Sequence, residues 1–362
     1  MGGVERFTDS LAAELAAEGH SVIVVTNNSH GLSNREVLDN GVEVIRFPCK
    51  SLIDGRYPVP IKDACYRSLM AELESRHVDG VLVNTRFYLH SLIGVQFAKR
   101  MGLRAVVLDH GSAYLTLGSR PLDWVIERYE DGITAWLKRR AVDFYGISKK
   151  SVEWLGHFGI EAKGVISNAI DAEAYRAQSS GKRFRKELGI AQSALFVAFV
   201  GRLVLEKGVR QLLEAMGELQ SEDIHLVIAG EGPLSAEIEI CGLSNVHMLG
   251  RLDGADVAAL LMDSDILCLP TRSEGFSTTL LEASACGVPC IVPDVGGAQE
   301  LISDRENGFI LKEVTAHELS NVLLESYEKM TELRKMGALS LSAVEASFSW
   351  SRTAKSALRA LE

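Results

Sequence analysis

The chain has 362 residues, is 47% hydrophobic and 24% charged, and carries a formal net charge of −10. That length suits two domains better than one core, and the acidic balance argues against a general nucleic-acid binder, whose footprint is a basic surface. No apolar run approaches the roughly 18 residues that a membrane span needs, no signal peptide is recognisable, and no repeat or low-complexity tract is present.

The chain opens with "MGGVERF", and "ERFTDSLAAELAAEGH" then reads as an amphipathic helix with Gly19 as its stop. Short apolar, β-branched runs follow, each trailed by a helical pattern: "SVIVVT", "GVEVIRF", "VDGVLVN", "RAVVLDH", "VDFYGIS" and "AKGVIS". Between the second and third lies "FPCKSLIDGRYPVPIKD", a Pro- and Gly-bearing stretch expected to be a loop. Residues 124–142 form an amphipathic stripe with Trp124, Trp136 and a basic end; it suits a core-facing helix, with peripheral membrane contact as the other reading. The polar, basic "YRAQSSGKRFRKELG" (175–189) reads as linker and entry helix. A second series of runs then begins: "LFVAFVG", "IHLVIAG", "NVHMLG", "DILCLP", "VPCIVPD" and "GFILK".

Runs without polar alternation suit strands buried on both faces, and their alternation with helices predicts parallel, doubly wound sheets. Three segments are expected: a Rossmann-like domain over 1–175, a second over 176–345, and a C-terminal helix at 346–362 that crosses back to the first. Two such domains facing a cleft would hold ligands at the carboxyl ends of their strands. The six cysteines form no CxxC pair and no cluster of zinc spacing. Several sit in apolar runs, which predicts reduced, buried thiols in a cytoplasmic protein and no bound metal.

The loops after the strands carry the chemistry. In "VAFVGRLVLEKGV" (197–209), Arg202 and Lys207 follow one strand and precede a helix. A guanidinium fork, a mobile ammonium and free helix N–H groups suit a diphosphate; two solvated surface cations are the plain alternative. The motif is not a P-loop, since GxxxxGK[ST] is lacking. In "SEGFSTTLLEASACGVP" (273–289), Glu274 and Glu282 stand eight positions apart. Ser277 or Thr278 can cap the next helix, Gly275 allows close backbone approach, and the following amides offer a second anion cradle. An ionised carboxylate accepts without donating, so each Glu matches a vicinal diol. His110, in "LDHGS", follows a buried strand, where a neutral imidazole could hydrogen-bond a sugar hydroxyl or the local backbone.

"GRLVLEKG", the Glu-x7-Glu of 274–282, "GVPCIVPDVGGAQELI", "ENGFIL", and the earlier "GGVERFTDSLAAELAAEGHSVIVVT", "DHGS" and "ISNAIDAEAY" resemble the retaining glycosyltransferases of family 4, with the GT-B fold. The resemblance covers nearly the whole chain, and the Arg-x4-Lys with the Glu-x7-Glu is specific as a combination. It implies that Arg202 and Lys207 bind the donor diphosphate and stabilise the leaving group, and that Glu274 contacts the transferred sugar. Gly275, Phe276 and Ser277 would offer amides to sugar and phosphate. Glu282 would bind the ribose, Leu252 would lie beside the base, Gly3 would approach the diphosphate, and His110 would face the donor sugar. In that family a strand precedes the glycine pair. Residues 1–20 offer none, so the first strand of the first domain is expected to be missing, its two neighbours to lack a ladder partner, and the recorded start to be internal to a longer chain.

The implied reaction moves a sugar from a UDP- or GDP-sugar to an acceptor hydroxyl with retention of anomeric configuration, without an obligatory metal and without a further cofactor. The acceptor is a sugar, a lipid-linked saccharide or a small molecule. A nucleotide-sugar epimerase or hydrolase of the same fold, and a non-catalytic nucleotide-sugar-binding protein, are the competing readings.

Overall fold

Every apolar run picked out above contributes a strand, as short β-branched runs between helical patterns suit parallel sheets. The computed structural model describes residues 2–52, 57–116, 120–140, 142–220 and 223–362. The chain divides into two compact units, Met1–Asn168 with Trp350–Glu362, and Ala169–Ser349.

Unit 1 begins with helix α1 (Gly3–Ala17), which buries Phe7, Leu11 and Ala12. The Glu5 carboxylate accepts the Gly2 backbone N–H at its start. Strands β1 (Ile23–Asn27), β2 (Arg35–Val37) and β3 (Glu43–Phe47) form one sheet in the order β1-β3-β2, with β1 and β3 parallel and β2 antiparallel. The stretch expected to be a loop is instead a hairpin, β4 (Cys49–Leu52) against β5 (Tyr57–Pro60); its residues 53–56 lie outside the described residues. Pro58 and Pro60 fall two apart, and a two-stranded ribbon tolerates such prolines because each strand is an edge. The three-residue, fully exposed β2 also escapes a reading based on apolar runs.

Helices α2 (Ala64–Glu74), α3 (Leu89–Arg100), α4 (Arg120–Lys138) and α5 (Lys149–His157) alternate with strands β6 (Val81–Asn84), β7 (Ala105–Asp109), β8 (Val142–Gly146) and β9 (Gly164–Val165). These four strands form an all-parallel sheet in the order β6-β7-β8-β9. Among the described residues, β1 and β6 end their sheets, each laddered on one side. His90 Nε2 reaches the Val25 carbonyl of β1 at 3.0 Å. Residues 124–138 of the stripe belong to α4, which buries Ile133 and Leu137 but leaves Leu122, Trp124 and Val125 exposed at its start; Arg139 and Arg140 lie beyond the helix and Val142 opens β8. The chain's last helix, Trp350–Leu361, packs on α1, with Thr353 Oγ1 donating to the Ser167 carbonyl at 3.0 Å.

Unit 2 runs α6 (Ala172–Ala177), α7 (Phe184–Glu187), β10 (Leu195–Val200), a 3₁₀ turn (Leu205–Lys207), α8 (Val209–Glu218), β11 (Ile224–Ala229), α9 (Ser235–Glu239), β12 (Val246–Gly250), α10 (Gly254–Asp263), β13 (Ile266–Cys268), α11 (Thr278–Ala285), β14 (Cys290–Pro293), α12 (Ala298–Leu301), β15 (Phe309–Leu311), α13 (Ala316–Glu328) and α14 (Met330–Ser347). The stretch read as linker and entry helix holds the end of α6, residues 178–183 without helix or strand, and the single turn of α7. Six parallel strands take the order β12-β11-β10-β13-β14-β15. From β10 the chain winds outward through β11 and β12, then returns to β13 and winds the other way. The direction reverses between β10 and β13, and a crevice opens at the carboxyl ends of strands flanking such a reversal.

Candidate functional site

The loops after β10 and β13 flank that switch point, and they carry Arg202, Lys207 and Glu274. Gly208 has φ +68° and opens α8. A Cβ there would stand 2.1 Å from the Pro270 carbonyl oxygen, so only glycine lets the β10 loop lie against the exit of β13. The two loops are then laced together. The Arg272 N–H donates to the Glu206 carbonyl at 2.8 Å, and Thr271 Oγ1 reaches the same oxygen at 3.3 Å. Lys207 Nζ donates to Glu274 Oε1, each side chain about one-fifth exposed. Arg202 is exposed on the same loop and has no ion-pair partner among the described residues.

Gly275, Phe276 and Ser277 lead directly into α11. Ser277, not Thr278, is the cap: its backbone is extended and its Oγ accepts from the Leu280 N–H at 3.4 Å. Phe276 is buried against Phe348, ring centroids 5.2 Å apart. A Cβ on Gly297 would fall 2.1 Å from its ring, so the loop after β14 supports this segment from beneath. Glu282 lies in the second turn of α11 and is only 7% exposed, so it is not a solvated helix-surface charge. Leu252 follows β12, two strands from β10, and is half-buried. The fold therefore brings Lys207, Glu274 and the 275–277 segment together, keeps Arg202 on the same loop as Lys207, and sets Leu252 further along the strand ends.

In unit 1, Gly3 is the exposed first residue of α1. His110 follows β7, its Nε2 2.9 Å from Asn84 Oδ1 and its ring edge-on to Phe7 at 4.9 Å. Burial pushes its pKa down to about 3, so the imidazole is neutral.

Beside His110 lies a cluster that sequence reading did not single out. Arg86 follows β6 and is 1% exposed. Its Nε donates to Asp109 Oδ2 at 3.2 Å, its Nη2 to Glu130 Oε2 at 3.0 Å and its Nη1 to Thr134 Oγ1 at 2.8 Å. The guanidinium lies 4.0 Å from the centroid of the Phe158 ring. Glu130 Oε1 accepts the Leu115 N–H at 2.9 Å, which ties the loop after His110 to α4. Burial raises the Asp109 pKa to about 6 against the pull of Arg86, and raises that of Glu130 as well. The signal was available: Arg86 and Asp109 both stand at strand exits, and Glu130 lies on the same buried stripe as Ile133 and Leu137.

A family model described as "Glycosyltransferase Family 4" matches residues 1–174, and one described as "Glycosyl transferases group 1" matches residues 181–338. The chain belongs to glycosyltransferase family 4. An uncharacterised glycosyltransferase of Methanocaldococcus jannaschii is 26% identical, over 98% of this chain and 93% of its own length. D-inositol 3-phosphate glycosyltransferase of an Arthrobacter species is 25% identical, over 98% of this chain and 88% of its own. Anabaena HepE, solved in complex with UDP-glucose, shares the fold at a TM-score of 0.73 and 18% identity, over 100% of this chain and 96% of that one. The fold of the glycosyltransferase is GT-B, two α/β units each built on parallel strands.

Among the described residues of this glycosyltransferase, no group of three or more His, Cys, Asp or Glu side chains is placed to hold a metal ion. No described helix is long and apolar enough to cross a membrane. A cavity of about 340 Å³ in unit 1, lined by Tyr114, Arg128, Asp131, Lys138 and His157 among others, contains none of the residues named from the sequence.

Proposed function

We propose that this glycosyltransferase moves a sugar from a nucleoside diphosphate sugar to an acceptor hydroxyl with retention of anomeric configuration. The observation that carries the reading is the Lys207–Glu274 contact at the switch point of unit 2. It sets a cation beside a carboxylate, with the amides that open α11 next in sequence. The cation suits the phosphates, and the carboxylate suits the sugar's hydroxyls.

In this reading the bond from the anomeric carbon to the diphosphate oxygen lengthens as negative charge grows on the leaving group. Lys207, Arg202 and the backbone amides of Gly275, Phe276 and Ser277 face that charge, the work that a metal ion performs in other transferases. Glu282 takes the ribose hydroxyls, Leu252 flanks the base and Gly3 approaches the diphosphate. The acceptor hydroxyl attacks from the face the leaving group departs, and the departing phosphate oxygen takes its proton. His110 meets a sugar hydroxyl. UDP-glucose bound to Anabaena HepE supports a nucleotide sugar as donor, and the GDP-mannose dependence in the name of a Mycobacterium tuberculosis relative supports testing both bases. Leu122, Trp124 and Val125, exposed at the start of α4, are where a lipid-borne acceptor would bring the protein onto a membrane surface.

The test is a thermal-shift screen against UDP, GDP, ADP and their sugars, followed by product analysis with the donor that binds. A ligand that binds the folded state raises its apparent stability by mass action. A shift with one nucleotide and its sugar, and a product of unchanged anomeric configuration, is the expected outcome. An inverted product overturns retention; no shift with any nucleotide overturns the donor class.

A further inference from the structure

A neutral histidine carries one ring proton, and its neighbours decide which nitrogen holds it. At His110 the neighbour is Asn84, whose amide presents either oxygen or nitrogen. A third residue resolves that choice. Thr8 Oγ1 lies 2.8 Å from the Val4 carbonyl, which can only accept, so the hydroxyl proton is committed there. Thr8 Oγ1 is left to accept, and Asn84 Nδ2 donates to it at 3.0 Å. Asn84 must then turn its oxygen toward His110, and that oxygen accepts from Nε2 at 2.9 Å. Phe7, next to Thr8 on α1, holds the ring edge-on from 4.9 Å, with Trp350 behind it at 5.7 Å. His110 Nδ1 has no hydrogen-bond partner among the described residues.

We infer that Thr8 and Asn84 are positioning residues that lock His110 in the Nε2–H tautomer, so that Nδ1 faces a ligand as a hydrogen-bond acceptor. The relay is anchored on a backbone carbonyl, which cannot reverse it. The consequence is a selectivity: the group that meets His110 must donate, as a hydroxyl or amine does, and a phosphate or carboxylate oxygen is rejected by lone-pair repulsion. The tautomer stands on unit 1 geometry alone; its use on a sugar hydroxyl rests on the function proposed above.

The experiment is nitrogen NMR of histidine-labelled protein, with the His110 ring signals assigned by their loss in His110→Gln. The expected spectrum has a protonated Nε2 and a bare Nδ1 across pH 6–8. Thr8→Val frees the Asn84 amide to turn and is expected to mix the tautomers, while Thr8→Ser keeps a hydroxyl and restores the parent spectrum. Asn84→Asp places a carboxylate on Nε2, which favours the imidazolium and protonates Nδ1. A bare Nε2 with protonated Nδ1 in the parent protein, or a Thr8→Val spectrum identical to it, overturns the relay. With UDP-glucose and GDP-mannose as probes, Thr8→Val is expected to raise KM about two- to tenfold, the worth of one hydrogen bond, and to leave UDP or GDP binding unchanged. A locked tautomer with unaltered KM upholds the relay and removes His110 from the sugar.

Discussion

Arg86 and Asp109 meet inside unit 1, Nε to Oδ2 at 3.2 Å, with neither side chain more than 1% exposed. Glu130 holds the other end of the same guanidinium at 3.0 Å, so one buried cation faces two buried acids. Removing one side of a buried pair costs about 3–5 kcal/mol, because it strands the opposite charge away from water. Arg86→Met should therefore lose roughly that amount in urea denaturation. Asp109→Asn leaves a one-to-one pair with Glu130 and should be close to neutral. Asp109→Asn with Glu130→Gln strands the cation, and its cost should exceed the sum of the single changes.

The same cluster sets a pH dependence. The folded-state pKa of Asp109 is about 6 against an ordinary value of 3.8, so the folded protein binds this proton more tightly than the unfolded chain does. The stabilisation is present in acid and is lost as pH rises from about 4 to about 6, amounting to roughly 3 kcal/mol for a shift of about two units. Other carboxylates, Glu325 among them, are shifted the opposite way by their cations. The measurement is therefore the difference between parent and Asp109→Asn. That difference should favour the variant more at pH 7.5 than at pH 4.5, and a pH-independent difference would refute the assignment.

The Lys207 side chain is about one-fifth exposed and pairs with Glu274. Lys207→Ala is expected to lower turnover at saturating donor by about 10²- to 10³-fold, measured on protein that circular dichroism shows to be folded. Near-parent turnover would remove Lys207 from the leaving group.

Glu282→Ala should weaken nucleotide binding, read by calorimetry with UDP and GDP. If the dissociation constants match the parent's, the buried acid serves the packing of α11 and not a ribose.

Gly208→Ala combines a left-handed backbone with a Cβ 2.1 Å from the Pro270 oxygen. Strain of this kind costs about 1–3 kcal/mol. Because the clash forces the β10 and β13 loops apart, donor affinity should fall together with thermal stability. Gly217→Ala, in open space on α8, is the control expected to do neither.

The order of elements was legible because burial on both faces leaves a mark on every residue of a strand: "LFVAFV" and "VVLD" contain no polar alternation, and both are interior strands. The hairpin of β4 and β5 left no such mark, since Lys50 and Ser51 are exposed, residues 57–60 are half-buried, and Pro58 and Pro60 interrupt the pattern. The rule that strand exits carry chemistry directed attention to Arg202, Lys207 and Glu274. It applies equally to Arg86 and Asp109, but no recognised spacing joins them in the sequence.

By itself, then, the sequence determined two series of alternating strands and helices, the glycosyltransferase family, and which loops carry cations and acids, because hydrophobic period and local motifs are properties of neighbouring residues. Tertiary structure alone decided that Lys207 touches Glu274 across 67 positions, that Arg86 collects acids from β7 and α4, and that Thr8 reaches His110 through Asn84. Those contacts join segments far apart in the chain. They arise only when sheets and helices pack and water is excluded, and no periodicity along the backbone encodes which side chains then face each other.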